Sequence, residues 1–225
     1  MKLDESKIKE LIEVFLKQWT ADSSNRFASF DFCYSYFNSF DDKREIANEK
    51  NIEKSCLQLG FYLASWGMLR ASSFLINKSL RYYTDLIKTI ANTPQRAWDI
   101  DIDSYDKDSE LLIETYKSIS SNFEDHRHLT LTTKIMLGVF GNAPAFDDFF
   151  CTTFRKLYPG YGFRAFNKDS IQVVHEFYKE NNSIIDNYGT TLYCKDFVTG
   201  ENGKLNYKKS KIVDMIGFQY SFRKR

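Results

Sequence analysis

Three prolines, three histidines and no close pair among four cysteines are the shortages of this 225-residue chain. Cys33, Cys56, Cys151 and Cys194 stand far apart, which excludes the CxxC spacing of zinc and thioredoxin-like sites. No apolar run approaches the roughly 18 residues needed to span a bilayer. The opening MKLDESKIKEL scatters charge where a signal peptide would be apolar. A cytoplasmic protein with free thiols and no membrane partner is expected. An excess of one charge is missing as well. With 31 basic and 30 acidic residues, the surface as a whole is no polyanion binder. Walker A, GxGxxG, GxSxG and HExxH are all absent, and no cofactor or metal is expected.

Aromatic rings are abundant: 20 Phe, 14 Tyr and 3 Trp. Rings give much area per residue and Tyr adds a polar tip, so they serve a core or a stacking pocket equally well. Apolar residues are structural more often than functional, which favours the core.

Helical spacing dominates. Asp4 can cap a helix with Ile8, Leu11, Ile12, Phe15 and Trp19 on one face. Phe27, Phe30, Tyr34 and Phe37 mark a second helix; Ile52, Cys56, Leu59, Leu63 and Trp66 mark a third, closed at Gly67. A fourth runs from Ser72 to Ala91 and stops before Pro94. Residues 95–108 read as a loop, and Leu111, Leu112, Tyr116 and Ile119 as a fifth helix. Helices follow over 132–139, over 145–157 with Pro144 near its start, over 167–182 and over 209–222. Before the last, Thr190–Val198 and Lys204–Tyr207 flank a Gly-rich turn, a hairpin signal. The expected fold is mainly α: a compact multi-helix array in one domain, residues 1–225, with one small β-hairpin near the C-terminus.

Several groupings carry candidate chemistry. Asp99, Asp101, Asp103 and Glu110 fit calcium-loop positions, but Ser104 stands where glycine is wanted and Lys107 where a ligand is wanted. A solvated, helix-capping loop is the simpler reading. His126 and His128 lack a third ligand and read as a connector. Cys151 with His175 is a formal thiol–base pair, yet Asp147 and Asp148 beside the cysteine oppose a thiolate. The basic end, with Lys204, Lys208, Lys209, Lys211, Arg223, Lys224 and Arg225, is a candidate contact to nucleic acid.

The stretch Thr133–Phe154, TKIMLGVFGNAPAFDDFFCTTF, concentrates the signal. Two helices joined by a short turn with Gly138, Gly141 and Pro144 can present amides at the second helix. Asp147 and Asp148 there also suit its dipole. Lys134 has no evident structural reason. The stretch resembles the helix-hairpin-helix region of DNA glycosylases, although Gly138 and Gly141 are separated by two residues rather than one. That resemblance implies backbone contact to DNA, a reactive Lys or Asp, and an Asp-bearing helix completing the site. Ala64–Arg70 and Lys134–Phe150 also resemble segments of uncharacterised bacterial proteins, which implies a bacterial source and no function.

The leading expectation is a helical binding or interaction protein without its own catalytic centre. One alternative is a nucleic-acid-binding or glycosylase-like protein using Lys134 with Asp147 or Asp148 as catalytic residues. Another is a small-molecule binder whose pocket uses Trp66, Arg70, Phe140, Asn142 and Phe146. A homodimer burying some of the rings is a further expectation.

Overall fold

A computed structural model of the chain describes residues 3–70, 73–124 and 128–222. It is mainly helical, with one two-stranded antiparallel hairpin near the C-terminus, the class expected. No helix among the described residues is long and apolar enough to cross a membrane.

Asp4 accepts the Lys7 amide and opens α1 (Glu5–Phe15), burying Ile8, Leu11, Ile12 and Phe15. A π turn, Leu16–Thr20, carries Trp19 beyond it. Next come α2 (Ser29–Asn38) and α3 (Ile52–Ser65). Gly67 ends α3 at φ 79°: its N–H reaches the Ala64 carbonyl and the Met68 N–H that of Leu63, the paired bonds of a Schellman end.

The expected helix over 72–91 is instead two short 3-10 turns, Phe74–Asn77 and Leu80–Tyr83, followed by α4 (Thr84–Ala91). Ser73 and Ser79 are extended and interrupt it; the Ser73 hydroxyl takes the Leu75 amide. The expected loop at 95–108 holds α5 (Gln95–Asp99), a 3-10 turn and the start of α6 (Tyr105–Ser120). Its apolar members Trp98, Ile100 and Ile102 are buried between the acids. Asp101 caps a distant helix, accepting from the amides of Lys209 and Ser210 and from the Ser210 hydroxyl.

After α7 (Leu129–Ile135) a π turn, Met136–Phe140, leads to Gly141 in the left-handed region at φ 64°. The second helix of the pair, α8 (Asp148–Leu157), starts later than expected, and Pro144 stays outside it. Residues 145 and 146 are kept out of the helix because their amides are already used, by the Asp214 carboxylate and the Thr133 hydroxyl. Asp147 then caps α8 through the Phe149 and Phe150 amides.

A reciprocal Asn167–Ser170 capping box opens α9 (Lys168–Glu180). The unanticipated α10 (Asn182–Thr191) replaces the first residues of the expected strand. The hairpin is β1 (Tyr193–Lys195) and β2 (Asn202–Asn206), with Tyr193 opposite Asn206 and Lys195 opposite Asn202. A two-stranded hairpin needs support. Buried Asp31 of α2 supplies it, accepting from the Lys195 amide and the Tyr207 hydroxyl.

The last helix, α11 (Lys209–Phe222), is buried on nearly all sides against α8, α1 and α10. Its interior polar residues are paired: Lys211 with Asp214, and Gln219 with Trp19 and Gln18.

Candidate functional site

The end of α3, the start of α8, the end of α11 and the turn after α1 enclose a cavity of about 670 Å³. Six of the sixteen residues that line it are aromatic. Phe218 is the hub: its ring centre lies 4.9 Å from Phe149, 5.4 Å from Phe222, 6.0 Å from Trp19 and 6.1 Å from Trp66. Phe27 closes the ring set at 4.6 Å from Trp19 and 4.8 Å from Trp66. Phe218 and Phe222, four residues apart on α11, stack at an interplanar angle of 15° and face the cavity together.

One ion pair lies in this wall. Lys134 of α7, 5% exposed, places Nζ 3.2 Å from Asp147 Oδ2 and 5.5 Å from the Trp66 ring centre. The two residues come from opposite sides of the helix pair and meet because the hairpin between them is fixed. Asp147 divides its carboxylate: Oδ1 caps α8 and Oδ2 meets the ammonium. Tyr62 fixes the other end of Lys134, donating its hydroxyl to the Lys134 carbonyl at 3.0 Å.

A second cation lies against the same indole. Lys211 Nζ is 5.0 Å from the Trp66 ring centre, 4.5 Å from Phe30 and 5.1 Å from Phe15. Asp214 holds it at 3.0 Å, and the other oxygen of Asp214 takes the Ala145 amide. The pair therefore ties α11 to the hairpin that carries Asp147. Trp66 itself has a buried Nε1–H with no acceptor among the described residues.

Of the residues singled out from sequence, Lys134, Asp147, Asp148, Trp66 and Arg70 line this one cavity. Asp148 and Arg70 are exposed at it. Phe140, Asn142 and Phe146 do not line it. Phe140 is buried against Trp98 at 4.4 Å, and Phe146 among Phe150, Phe163 and Phe166. Asn142 is fully buried; its side-chain amide donates to the Ala97 carbonyl and its backbone carbonyl accepts from Tyr105. These three build the hairpin's foundation.

The remaining candidates are placed elsewhere. Burial, with Asp147 and Asp148 adding to it, pushes the Cys151 thiol up to about 12, the opposite of an activated thiolate. His175 lies between Tyr105 and Tyr178, its imidazole held below its ordinary range chiefly by burial. In the acidic loop Asp101 caps α11, Asp103 meets Lys209, and Asp108 meets Arg96. Among the described residues no group of three or more His, Cys, Asp and Glu is placed to hold a metal. His128 donates a ring N–H to the Glu124 carbonyl, while His126 lies outside the described residues. Lys208, Lys209 and Lys211 all point to internal partners, Lys208 to the Trp98 and Ile100 carbonyls. Arg223, Lys224 and Arg225 lie outside the described residues.

Trp19, Phe27, Phe149, Phe218 and Phe222 were not recognised as wall residues. Their spacing marks them only as apolar helix faces, and nothing local says that the faces of α1, α8 and α11 converge. The Lys211–Asp214 pair was also missed, although two opposite charges three residues apart inside an apolar helix pattern are a usable signal. No protein-family model, no curated protein and no solved structure matches the chain.

Proposed function

We propose that the cavity takes a flat heterocycle of nucleobase size between its rings, and that Lys134 and Asp147 act on the bond joining that base to its sugar. The observation that carries this is the Lys134–Asp147 pair at 3.2 Å in the wall of a ring-lined cavity. A cavity of about 670 Å³ is in the range of small-ligand pockets. Enzymes that work on a base withdraw it from the stack and hold it between aromatic side chains. Arg26 and Arg70 at the same cavity supply cations for the phosphates that flank such a base.

The chemistry follows from the pair. Lys134 becomes a nucleophile once its proton passes to Asp147, the carboxylate it already meets. Its lone pair attacks the sugar carbon bearing the base. The carbon–nitrogen bond breaks, its electron pair leaves with the base, and the base takes the proton that Asp147 received. One proton then passes from the Lys134 nitrogen through Asp147 to the sugar's ring oxygen, whose bond to the same carbon breaks, leaving the protonated imine that borohydride reduces. Asp147 remains beside the new cationic centre.

The test is incubation of the full chain with oligonucleotides carrying oxidised or alkylated bases, with and without borohydride. Base loss and a borohydride-trapped adduct are expected, both missing in Lys134→Met. Absence of base loss and adduct on every substrate overturns the catalytic reading.

A second reading, a binding pocket without chemistry, is favoured by the depth of Lys134 and its occupied ammonium. Quenching of tryptophan fluorescence by free bases, with no cleavage of any substrate, selects it. A cytoplasmic setting accords with either, since all four cysteines are free and buried.

A further inference from the structure

A second concavity, of about 950 Å³, opens between the hairpin and the outer faces of α2 and α3. Its composition differs from that of the first. Three lysines line it: Lys54 of α3, Lys195 at the end of β1 and Lys204 of β2. Asp196 is its one carboxylate, and that group is turned inward on its own loop, accepting from the amides of Val198 and Thr199 and from the Thr199 hydroxyl. The surface is thus cationic on a chain whose net charge is only +1.

Rings alternate with these cations. Phe197, 74% exposed on the turn, meets Phe32 of α2 edge-on at 5.0 Å. Lys54 lies 5.3 Å over the ring of Tyr36. The rest of the Phe197 ring is open to a ligand. The neighbouring Val198 is 89% exposed.

The concavity also leads somewhere. The exposed residues of α3 are Glu53, Lys54, Leu57 and Phe61, with Gln58 half-buried among them on the same side. Leu57 is 46% and Phe61 60% exposed. That face ends at Ser65 and Trp66, which line the ring-walled cavity. Eleven residues of helix make a track of roughly 16 Å. The turn of the hairpin lies against Ser23, close in the chain to Arg26 and Phe27 of the same cavity.

We propose that this groove and the outer face of α3 form a binding track for a single-stranded nucleic acid, feeding the cavity where the base is held. Lys54, Lys195 and Lys204, all at the groove end of the track, meet phosphates, and Phe32 and Phe197 offer faces to unpaired bases. Paired bases present no free face to such rings, so a single strand fits better than a duplex. A length of ~16 Å accommodates about five nucleotides at ~3.4 Å each. The inference takes from the proposed function that the ligand is a nucleic acid whose base enters the first cavity, and it does not depend on the chemistry proposed there.

The test is fluorescence anisotropy of a labelled ten-nucleotide oligothymidylate with the full chain, across a salt series. Binding is expected to weaken with salt, with a logarithmic slope near −2 for three lysine–phosphate contacts at about 0.7 each. The triple variant Lys54→Glu, Lys195→Glu, Lys204→Glu should bind at least about tenfold more weakly, with most of the slope gone. Phe197→Ala should lose about tenfold in affinity while its salt slope is retained. Neither change touches a buried residue, and an unaltered thermal transition confirms that each variant is folded. Equal affinity of parent and triple variant overturns the track, as does tighter binding of a polyglutamate peptide than of the oligonucleotide. Failure of base cleavage with lysine-dependent binding retained removes the catalytic reading and leaves the track. Cleavage that is indifferent to the three lysines does the reverse.

Discussion

Lys211 Nζ lies 3.0 Å from Asp214 Oδ2, with the two side chains only 2% and 8% exposed. Both belong to α11, the most enclosed helix of the fold. Burying such a pair is expensive, and it is tolerable only while both members are satisfied. Asp214 has a second task, since its other oxygen holds the Ala145 amide of the hairpin.

Asp214→Ala should therefore destabilise the protein by about 3–5 kcal/mol, because it strands a buried ammonium and frees the hairpin. Replacing both members, Lys211→Met with Asp214→Leu, should recover most of that loss, since no uncompensated charge remains. The unrecovered part reports the Ala145 hydrogen bond, worth about 1 kcal/mol. Urea unfolding of the two variants and the parent gives all three quantities. Equal loss in single and double variants would show that the ion pair is not what the core depends on.

The fold class was legible because it rests on local signals: caps at Asp4 and Asn167, the stop at Gly67, and apolar spacing three and four apart. Errors arose where distant side chains took over backbone groups. Asp214 and Thr133 keep residues 145 and 146 out of α8, and those partners lie 69 and 13 residues away. The acidic stretch read as a loop because its charges hide Trp98, Ile100 and Ile102, which are buried. At the site, Lys134 stood out because a cation inside TTKIMLG has no local partner, whereas Phe140 and Phe146 looked like Trp66 until tertiary contacts separated core from cavity.

Asp147 performs two roles that substitution can separate. Asparagine still accepts from the Phe149 and Phe150 amides, so Asp147→Asn keeps the cap of α8 but removes the charge facing Lys134. Asp147→Ala loses both. The alanine variant should be less stable than the asparagine variant by about 1 kcal/mol. If the proposed chemistry holds, both should lose base-release activity alike. Thermal unfolding set beside the cleavage assay checks the split. Full activity in Asp147→Asn would remove the carboxylate from the reaction.

Gly138 is a contact glycine. A Cβ built there would lie 2.2 Å from the ring of Tyr62, whose hydroxyl positions the Lys134 carbonyl. Gly138→Ala must displace a fully packed ring, at about 1–3 kcal/mol. The displacement acts on Lys134 through Tyr62, so activity should fall further than stability alone explains. The control is Gly160→Ala, where nothing stands within 4 Å but φ is +115°. That variant is strained in its backbone without touching the site, and its activity per folded molecule should match the parent's.

Asp31 carries a pH dependence. It accepts from Tyr207 and from the Lys195 amide, yet burial raises its carboxyl from 3.8 to about 6. The folded-state value lies above the unfolded one, so the fold favours the protonated form. Its contribution is fully present below pH 3.8 and is lost as pH rises to about 6. The size is about 3 kcal/mol, from roughly two units at 1.36 kcal/mol each. Other carboxylates titrate in the same window, so the informative quantity is the stability difference between the parent and Asp31→Asn. Asparagine does not titrate and gives up one acceptor, a constant offset. Between pH 4 and pH 7 the parent should lose stability relative to the variant by up to about 3 kcal/mol. The hairpin should respond first, because Asp31 holds it to α2. Urea midpoints at pH 4, 5, 6 and 7 measure the difference directly. A constant gap across that range would mean that Asp31 stays charged in the fold, held so by Lys211 and Lys195 nearby.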